Sequence, residues 1–469
     1  MNNPLTRDQS SLDASLRDGI WHAIMLGAGE TFLGPFGIFL KASTIQIGLL
    51  ATLPQFFGAL MQWASALAMD HLRNRRILVV LSALFQGVLW LPIALVPFLY
   101  GRSEQAVNVL LLLVTIYHGA SGILTPVWNS LIGDLVPAEI RGRFFGNRNR
   151  LTGMSTFFAL IVAGLVLHFF EQQGRVGLGF LVVFGTALVA RLNSAHWLFR
   201  HDNPEFHYSR EQLFTFAQFL RRSPKSNFAR FVFFTGAVNF AVALSSPYFA
   251  LYMLRDLRFS YVEFTSVTSV AIITQFLTFR YWGMLSDQFG NKKILNLCGW
   301  GIGIVPMLWL ISSHIAFLMA IQVFGGFVWA GFNLASANFI FDAVSPPKRA
   351  RCVAYRGMVN GVCVLAGSLV GGFIAMRLPK SMVLGDWSWS PDFILPVIFF
   401  ISGVVRLGAA AFFLRIFREV RDVEPIRHRD LIYRVSHLKP IAGLTFSLIA
   451  SPFRAQPQES KEDPDKPPE

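Results

Sequence analysis

Charged residues are scarce in this sequence, since Asp, Glu, Lys and Arg make up only 14% of its 469 residues. A typical soluble domain holds about 25%. Hydrophobic residues account for 53%, and the mean hydropathy is +0.49. The apolar residues come in blocks of about 20, the length that crosses a bilayer as a helix. The composition excludes an ordinary soluble protein and predicts an integral membrane protein.

Cysteine and catalytic motifs are also rare or absent. Cys298, Cys352 and Cys363 have no spacing typical of a metal or redox site, so we interpret them as small buried hydrophobic residues. The sequence has no G-x-x-x-x-G-K-[ST], H-E-x-x-H or G-x-S-x-G motif, and this argues against an ATP-driven pump and against an enzyme. We therefore expect no cofactor and no metal.

Twelve apolar segments follow one another, six on each side of the polar stretch 200–227. The first sixteen residues lack the features of a signal peptide. We predict an all-α membrane protein with twelve transmembrane helices in two pseudo-symmetric six-helix halves. The segments are 18–40, 45–69, 77–100, 107–132, 151–170, 178–199, 228–253, 260–285, 294–313, 315–342, 353–376 and 393–416.

The net charge of +14 is distributed unevenly. With a cytoplasmic N-terminus, the inner connections hold far more Lys and Arg than the outer ones, which predicts that both termini are cytoplasmic. Topology thus explains the charge, and we expect no nucleic-acid binding. We expect a monomer in the plasma (inner) membrane. The predicted divisions are an N-terminal segment 1–17, bundles 18–199 and 228–416, a linker 200–227, and a tail 417–469 that is disordered at its end.

The two halves repeat each other in three blocks. ALAMDHLRNRRIL (66–78) matches GMLSDQFGNKKIL (283–295), and VARLNSAHWLFR (189–200) matches VVRLGAAAFFLR (404–415). A third match lies after the fourth segment of each half. Such recurrence in the same order indicates a duplicated six-helix unit. The equivalent residues are Asp70 and Asp287, Arg75 and Lys292, Asp134 and Asp342, Arg141 and Arg349, Arg143 and Arg351, Arg148 and Arg356, and Arg191 and Arg406.

These motifs resemble those of the major facilitator superfamily. Its signature G-x-L-x-D-R-x-G-R-[KR] is similar to the second half at Asp287 and Lys292, with Gln288 and Asn291 as departures. D-L-V-P-A-E-I-R-G-R is similar to its pattern after the fourth helix. The resemblance covers about 18–416 and implies two halves that rock around a site near the midplane. The G-x-x-x-G-P motif of drug–proton antiporters is absent from the fifth segment, which argues against an antiporter of that kind.

We interpret the repeated charges as gating or structural residues. An Asp at a helix end and an Arg on a neighbouring helix can pair when the cytoplasmic side closes. The rival interpretation is that they retain loops in the cytosol and cap helices. Their repetition argues against substrate recognition, and Arg191 and Arg406 are interpreted as structural for the same reason.

Glu30 is the leading candidate for function. A charged residue at a helix centre costs about 2.5 to 3.5 kcal/mol on insertion scales. Ala23, Gly27, Gly34 and Gly37 share its helical face, so the carboxyl is predicted to point into the bundle. Three roles remain open: a proton carrier, a ligand for a cationic substrate group, or a structural hydrogen bond.

Further candidates line the same predicted path. Aligning the GAGE run with the second half places Asn239 opposite Glu30. In the family that this chain resembles, helices 1, 4, 7 and 10 line the central path. The remaining candidates for binding substrate or protons are Tyr117, His118, Trp128 and Asn129 in helix 4, and Trp329, Asn333 and Asn338 in helix 10.

The sequence thus predicts a secondary active transporter that moves a small organic solute by alternating access and is coupled to protons. Its partners are the solute, protons and the lipid bilayer. One alternative is a flippase or efflux protein for lipid-like compounds, which the 46 Phe residues permit. Another is a membrane sensor or scaffold that does not transport.

Overall fold

The computed structural model describes most of the chain up to residue 423. The described residues are 4–68, 74–136, 141–204, 216–222, 226–344, 346–378, 382–384, 387–389, 394–421 and 423.

The first part of the chain consists of helices joined by short connections in its described residues. A 3-10 turn, Glu30–Phe32, separates its first two helices. The helices are α1 (Pro4–Ala28), α2 (Leu33–Phe39), α3 (Thr44–Ala68), α4 (Arg75–Tyr100), α5 (Glu104–Leu135), α6 (Arg141–Gln172) and α7 (Val176–Phe199).

The second part begins with a short helix inside the predicted linker. A π-helical turn, Tyr252–Asp256, follows α10, and strands β1 (Met382–Leu384) and β2 (Trp387–Trp389) pair antiparallel between the last two helices. The helices are α8 (Phe216–Arg222), α9 (Asn227–Ala243), α10 (Tyr248–Leu251), α11 (Tyr261–Phe289), α12 (Asn291–Leu308), α13 (Ile315–Ala343), α14 (Pro346–Arg377) and α15 (Leu395–Phe413).

Ten helical stretches among the described residues are long and apolar enough to cross a membrane. Large apolar side chains such as Leu99, Phe158 and Phe412 are exposed on them, as expected where lipid replaces water as the solvent. Two of the twelve predicted segments are not among these ten stretches. The first, 18–40, is divided between α1 and α2 by the 3-10 turn, and the ninth, 294–313, contains the 18-residue α12. The structure is therefore that of a multi-pass helical membrane protein.

The helices pack mainly within two groups, α1–α7 and α9–α15. The groups meet chiefly through α3 against α14 and α6 against α11. At the end of the bundle remote from the N-terminus, the Ser368 hydroxyl donates a hydrogen bond of 2.9 Å to the carbonyl of Gly48. Between the first group and α11, Phe32 lies against Phe264, with ring centroids 6.5 Å apart. These contacts close that end of the bundle between the groups.

The first predicted segment, 18–40, is not one continuous helix. Pro35 has no N–H to donate and its ring crowds the carbonyl one turn earlier, so the helix is interrupted in the preceding turn. Because of this interruption, the small residues predicted to share one face of the helix face two different neighbouring helices. Gly27 packs against α6, while Gly37 lies beside Leu50 of α3.

The segment after α7 is held against α4 at the N-terminal end of the bundle. A guanidinium nitrogen of Arg75 donates to the carbonyl of Pro204 at 2.9 Å, and one of Arg76 donates to the carbonyl of His201 at 3.0 Å. The chain after α15 docks in a similar way, since the Lys292 N–H donates to the Glu419 carboxylate at 2.7 Å. In each group, the segment that follows the last helix is therefore hydrogen-bonded to the start of another helix of the same group.

Close packing of α3 on α5 depends on Gly122. A Cβ at this position would overlap the carbonyl oxygen of Gly58, so the substitution Gly122→Ala forces the helices apart. We expect it to lower the free energy of unfolding by about 1 to 3 kcal/mol, seen as a lower unfolding midpoint in detergent. Gly185→Ala on α7 is the control, because its Cβ meets nothing within 4 Å. Equal midpoints for the two variants would contradict this packing.

His201 makes stability depend on pH. It is fully buried beyond the end of α7, and burial lowers its pKa below the usual value. Below about pH 6.5 the unfolded chain binds a proton that the folded state excludes, so stability falls as the pH drops towards the folded-state pKa. His201→Phe should reduce the difference in unfolding midpoint between pH 7.5 and pH 5.5. The exposed His314, changed to Phe, should leave that difference as in the wild type, and a similar response of both variants would contradict the prediction.

Candidate substrate and proton site

Glu30 lies at the interruption of the first helix, where it is half-buried. The Tyr117 hydroxyl of α5 lies 2.7 Å from Glu30 Oε1 and donates to it. Tyr117 is fully buried and its ring packs edge-on against Trp90, with centroids 5.2 Å apart. The ring centroids of His118 and Tyr117 are 5.4 Å apart. The structure thus joins the predicted residues Glu30, Tyr117 and His118 in one cluster.

Arg191 of α7 lies at the centre of a second set of polar contacts, and its exposed fraction is 2%. Two of its guanidinium nitrogens donate to Gln86 Oε1, and a third lies 3.0 Å from His22 Nδ1. Gln86 in turn donates to the backbone carbonyl of Tyr117 at 3.4 Å. Arg191 is therefore buried among α1, α4 and α7.

Asp18 of α1 links this set to α6. Its carboxylate accepts from the Ser194 hydroxyl at 2.7 Å and from Arg148 at 3.5 Å. Ser194 also accepts from Arg191 at 2.9 Å. The Arg148 guanidinium lies 4.6 Å from the ring centroid of Trp128. Two carboxyls and two guanidiniums therefore share one largely buried region of the first group, and their formal charges balance.

The second group repeats the buried arginine but not the acids. Arg406 donates to Ser402 at 3.1 Å, to Ser245 at 2.9 Å and to the Ile302 carbonyl at 3.2 Å. All three acceptors are neutral. At the position equivalent to Arg148, Arg356 lies over the ring of Phe231. The offset that pairs Glu30 with Asn239 also pairs Asp18 with Asn227 and His22 with Phe231, so the ionisable partners belong to the first group alone.

Asn239 lies apart from Glu30 and lines a cavity between the two groups. The cavity has a volume of 220 Å³. Its other polar side chains are Thr52 and Gln55 of α3 and Ser246, which follows α9. The predicted residue Asn239 is therefore placed where a solute could contact both groups.

The remaining cavity candidates are not part of either cluster. Asn129 and Asn333 are exposed, and Asn338 is half-buried. Trp329 packs against Phe332 of its own helix. Among the described residues, none of these four forms a hydrogen bond or ring contact with Glu30 or Tyr117.

The loop motifs form contacts within each group. In the first group Arg75 binds Asp134 at 2.6 Å, joining α4 to α5. In the second group the predicted equivalent, Lys292, lies over Phe417, and Asn291 binds Asp342 at 2.6 Å instead.

The chain after α15 adds Arg421, which binds Asp342 at 3.2 Å and lies 3.8 Å from Asp287. These contacts hold adjacent helices together. Asp70 lies outside the described residues, and the side chains of Arg141, Arg143, Arg349 and Arg351 are also outside them.

Asp18, His22, Gln86 and Ser194 were not predicted as site residues. One signal was available, because Asp18 and His22 are four residues apart and place two ionisable groups on one face of α1. Asp18 stands at the start of the predicted segment and was taken as its boundary.

Paired helical groups with a cavity between them are typical of helical membrane transporters. A sequence profile described as Major Facilitator Superfamily matches residues 22–251 and 228–454. The chain belongs to this family and is a transporter by family, not an enzyme.

Individual relatives are distant. "Multidrug resistance protein MdtG" of Dickeya zeae is 29% identical over 213 residues, which cover 43% of this chain and 45% of the relative. The chain spans less than half the length of each curated relative that it matches. A mutant of the nucleoside transporter NupG has a similar fold, with a TM-score of 0.67, 15% identity, and coverage of 87% of this chain and 100% of the other. A D-xylose-proton symporter gives a TM-score of 0.64 at 14% identity, with 89% and 99% coverage.

The Asp18 and Arg148 pair should matter for stability. Their side chains are 4% and 13% exposed, and removing one partner of a buried pair costs about 3 to 5 kcal/mol because the other charge stays buried. Asp18→Asn should therefore lower the free energy of unfolding markedly in mixed micelles. Adding Arg148→Gln should recover part of the loss, with a coupling of about 1 to 3 kcal/mol.

The control for this pair is Arg255→Gln. Arg255 forms a 2.7 Å ion pair with Asp256, but its side chain is 47% exposed, so we expect a loss below about 1 kcal/mol. Strictly additive effects of Asp18→Asn and Arg148→Gln would show that the two residues do not interact.

Proposed function

We propose that this protein is a secondary active transporter that moves a small organic solute by alternating access, with Glu30 as the proton carrier. The observation that carries the proposal is the Tyr117–Glu30 hydrogen bond at the interruption of the first helix. Two of the solved structures of similar fold are named as transporters of nucleosides and of D-xylose, which are small organic solutes.

A proton carrier must be stable in both of its protonation states. The Tyr117 hydroxyl suits this requirement, because a phenol can donate to a carboxylate or accept from a carboxylic acid. Glu30 is half-buried, so it is less hydrated than a surface carboxyl but is not sealed from solvent. Gain and loss of one proton at Glu30 are therefore compatible with the same local packing.

The remaining features of the proposal concern topology. We infer that α1 with α2, and α12, also cross the bilayer, which gives twelve spans in two halves with both termini in the cytoplasm. The contacts of Phe32 with Phe264 and of Ser368 with Gly48 lie at the end remote from the N-terminus. With the N-terminus in the cytoplasm, they support an inward-facing state, and we further propose a monomer in the plasma (inner) membrane. In this topology Asp134 and Asp342 lie at the cytoplasmic end, where we propose a gating or structural role for them.

A cavity on the first group favours the lipid-like alternative. It has a volume of 370 Å³ among α1, α6 and α7, and apolar residues such as Phe158 and Val182 line it. It lies within one group, however, and alternating access exposes a site between the groups to each side in turn. We therefore favour the small polar solute over a lipid or a drug.

The test uses purified protein in proteoliposomes with a pH gradient imposed in either direction. Wild-type protein should concentrate a solute against its own gradient, using a defined mixture of sugars, nucleosides, amino acids, carboxylates and amines analysed by mass spectrometry. Glu30→Gln should still equilibrate that solute but lose the accumulation, because an amide carries no proton. The expected loss is at least tenfold in the ratio of internal to external concentration.

Glu104→Gln is the matched control, since Glu104 is an exposed carboxyl in the first turn of α5. It should accumulate solute as the wild type does. Accumulation by Glu30→Gln at the wild-type level would show that Glu30 does not carry the coupled proton.

A further inference from the structure

We propose that the substrate is an uncharged polar solute, recognised by hydrogen bonds from Gln55 and Asn239. This inference rests on the proposed transport function and adds the chemical class of the substrate. Gln55 belongs to α3 of the first group and Asn239 to α9 of the second. A solute bound to both amides is therefore held by both halves of the protein.

The cavity walls carry hydrogen-bonding groups and no charge. Thr52, Gln55, Asn239 and Ser246 are its polar side chains, and Val242 and Val364 are among its apolar ones. None of the described residues that line it is ionisable. Each amide offers two donors and one acceptor, which suits hydroxyl, carbonyl and amide groups of a ligand.

Both amides are available to a ligand. Among the described residues, no hydrogen bond engages the side chain of Gln55 or Asn239, whereas the Thr52 hydroxyl already donates to the Gly48 carbonyl at 2.8 Å. The volume of 220 Å³ is below the range of about 300 to 1,000 Å³ that is typical of sites for drug-sized ligands. Size and polarity together favour a compact, hydroxyl-rich or amide-bearing molecule.

The ionisable side chains inside the two groups are engaged by the protein itself and do not line the cavity. Glu30 accepts from Tyr117, and Arg191 donates to Gln86. Arg406 donates to Ser245, which precedes the lining residue Ser246, but Arg406 is 4% exposed and does not line the cavity. A charged ligand that gave up hydration on binding here would gain no opposite charge from the lining residues in return, which is costly. An uncharged ligand avoids that cost.

The experiment compares three classes of probe in one proteoliposome mixture. The uncharged probes are D-ribose, D-glucose, myo-inositol and uridine; the anions are succinate and glutamate; the cations are choline and putrescine. We expect an uncharged probe to accumulate. For that probe, Gln55→Met and Asn239→Leu should each raise the concentration for half-maximal uptake about tenfold, since each removes hydrogen bonds to the ligand.

Gln172→Leu is the control, because Gln172 is an exposed amide at the end of α6 and should leave uptake unchanged. If Asn239→Leu does not elute as a folded monodisperse protein, Asn239→Thr replaces it. Accumulation of only anions or only cations would overturn the substrate class while leaving transport intact. Uptake of an uncharged probe that is indifferent to both variants would overturn the site. Accumulation of no probe would contradict the proposed function and this inference with it.

Discussion

A guanidinium that is shielded from water must find acceptors within the protein. The acceptors of Arg191, and the residues that they contact in turn, come from most helices of the first group. Its partners come from α1 and α4 as well as from its own helix. Gln86 then reaches the backbone of α5, and Asp18 reaches Arg148 on α6. Five helices are therefore positioned by one connected set of hydrogen bonds. Tyr117, and through it Glu30, is oriented by that set.

The second group shows how much of this arrangement the fold itself needs. Arg406 is equally buried, yet hydroxyls and one carbonyl are sufficient acceptors for it. In the second group, α15 is held through Arg406 without any carboxyl. Asp18, His22 and Glu30 of the first group are therefore not required to hold the equivalent helix α7. This difference between the halves is the main reason to interpret the first group as the ionisable half and the second, at Asn239, as a hydrogen-bonding half.

The sequence was sufficient to predict a multi-pass helical membrane protein of this family, because a lipid solvent forces each crossing to be a long apolar helix. It also selected Glu30 and Tyr117 as candidates, and the structure places these two side chains in contact. It did not predict the interruption at Glu30–Phe32, since proline is common in membrane helices and Pro35 alone does not locate a break. Nor did it predict the pairing of Asn291 with Asp342, because the repeat aligns Lys292 with Arg75 and a shift of one residue turns a helical side chain by about 100°. Gln86 and Ser194 lie in apolar segments, where single polar residues give no signal of their partners.

The interruption of the first helix has a mechanical consequence. Glu30 opens the three-residue turn and Phe32 closes it, so the carboxyl that binds Tyr117 and the ring that touches Phe264 move on the same short piece of backbone. A rotation of this turn large enough to separate Glu30 from Tyr117 also displaces Phe32 from the opposite group. In the proposed mechanism, one turn of backbone would therefore link the ionisation of Glu30 directly to closure of the remote end.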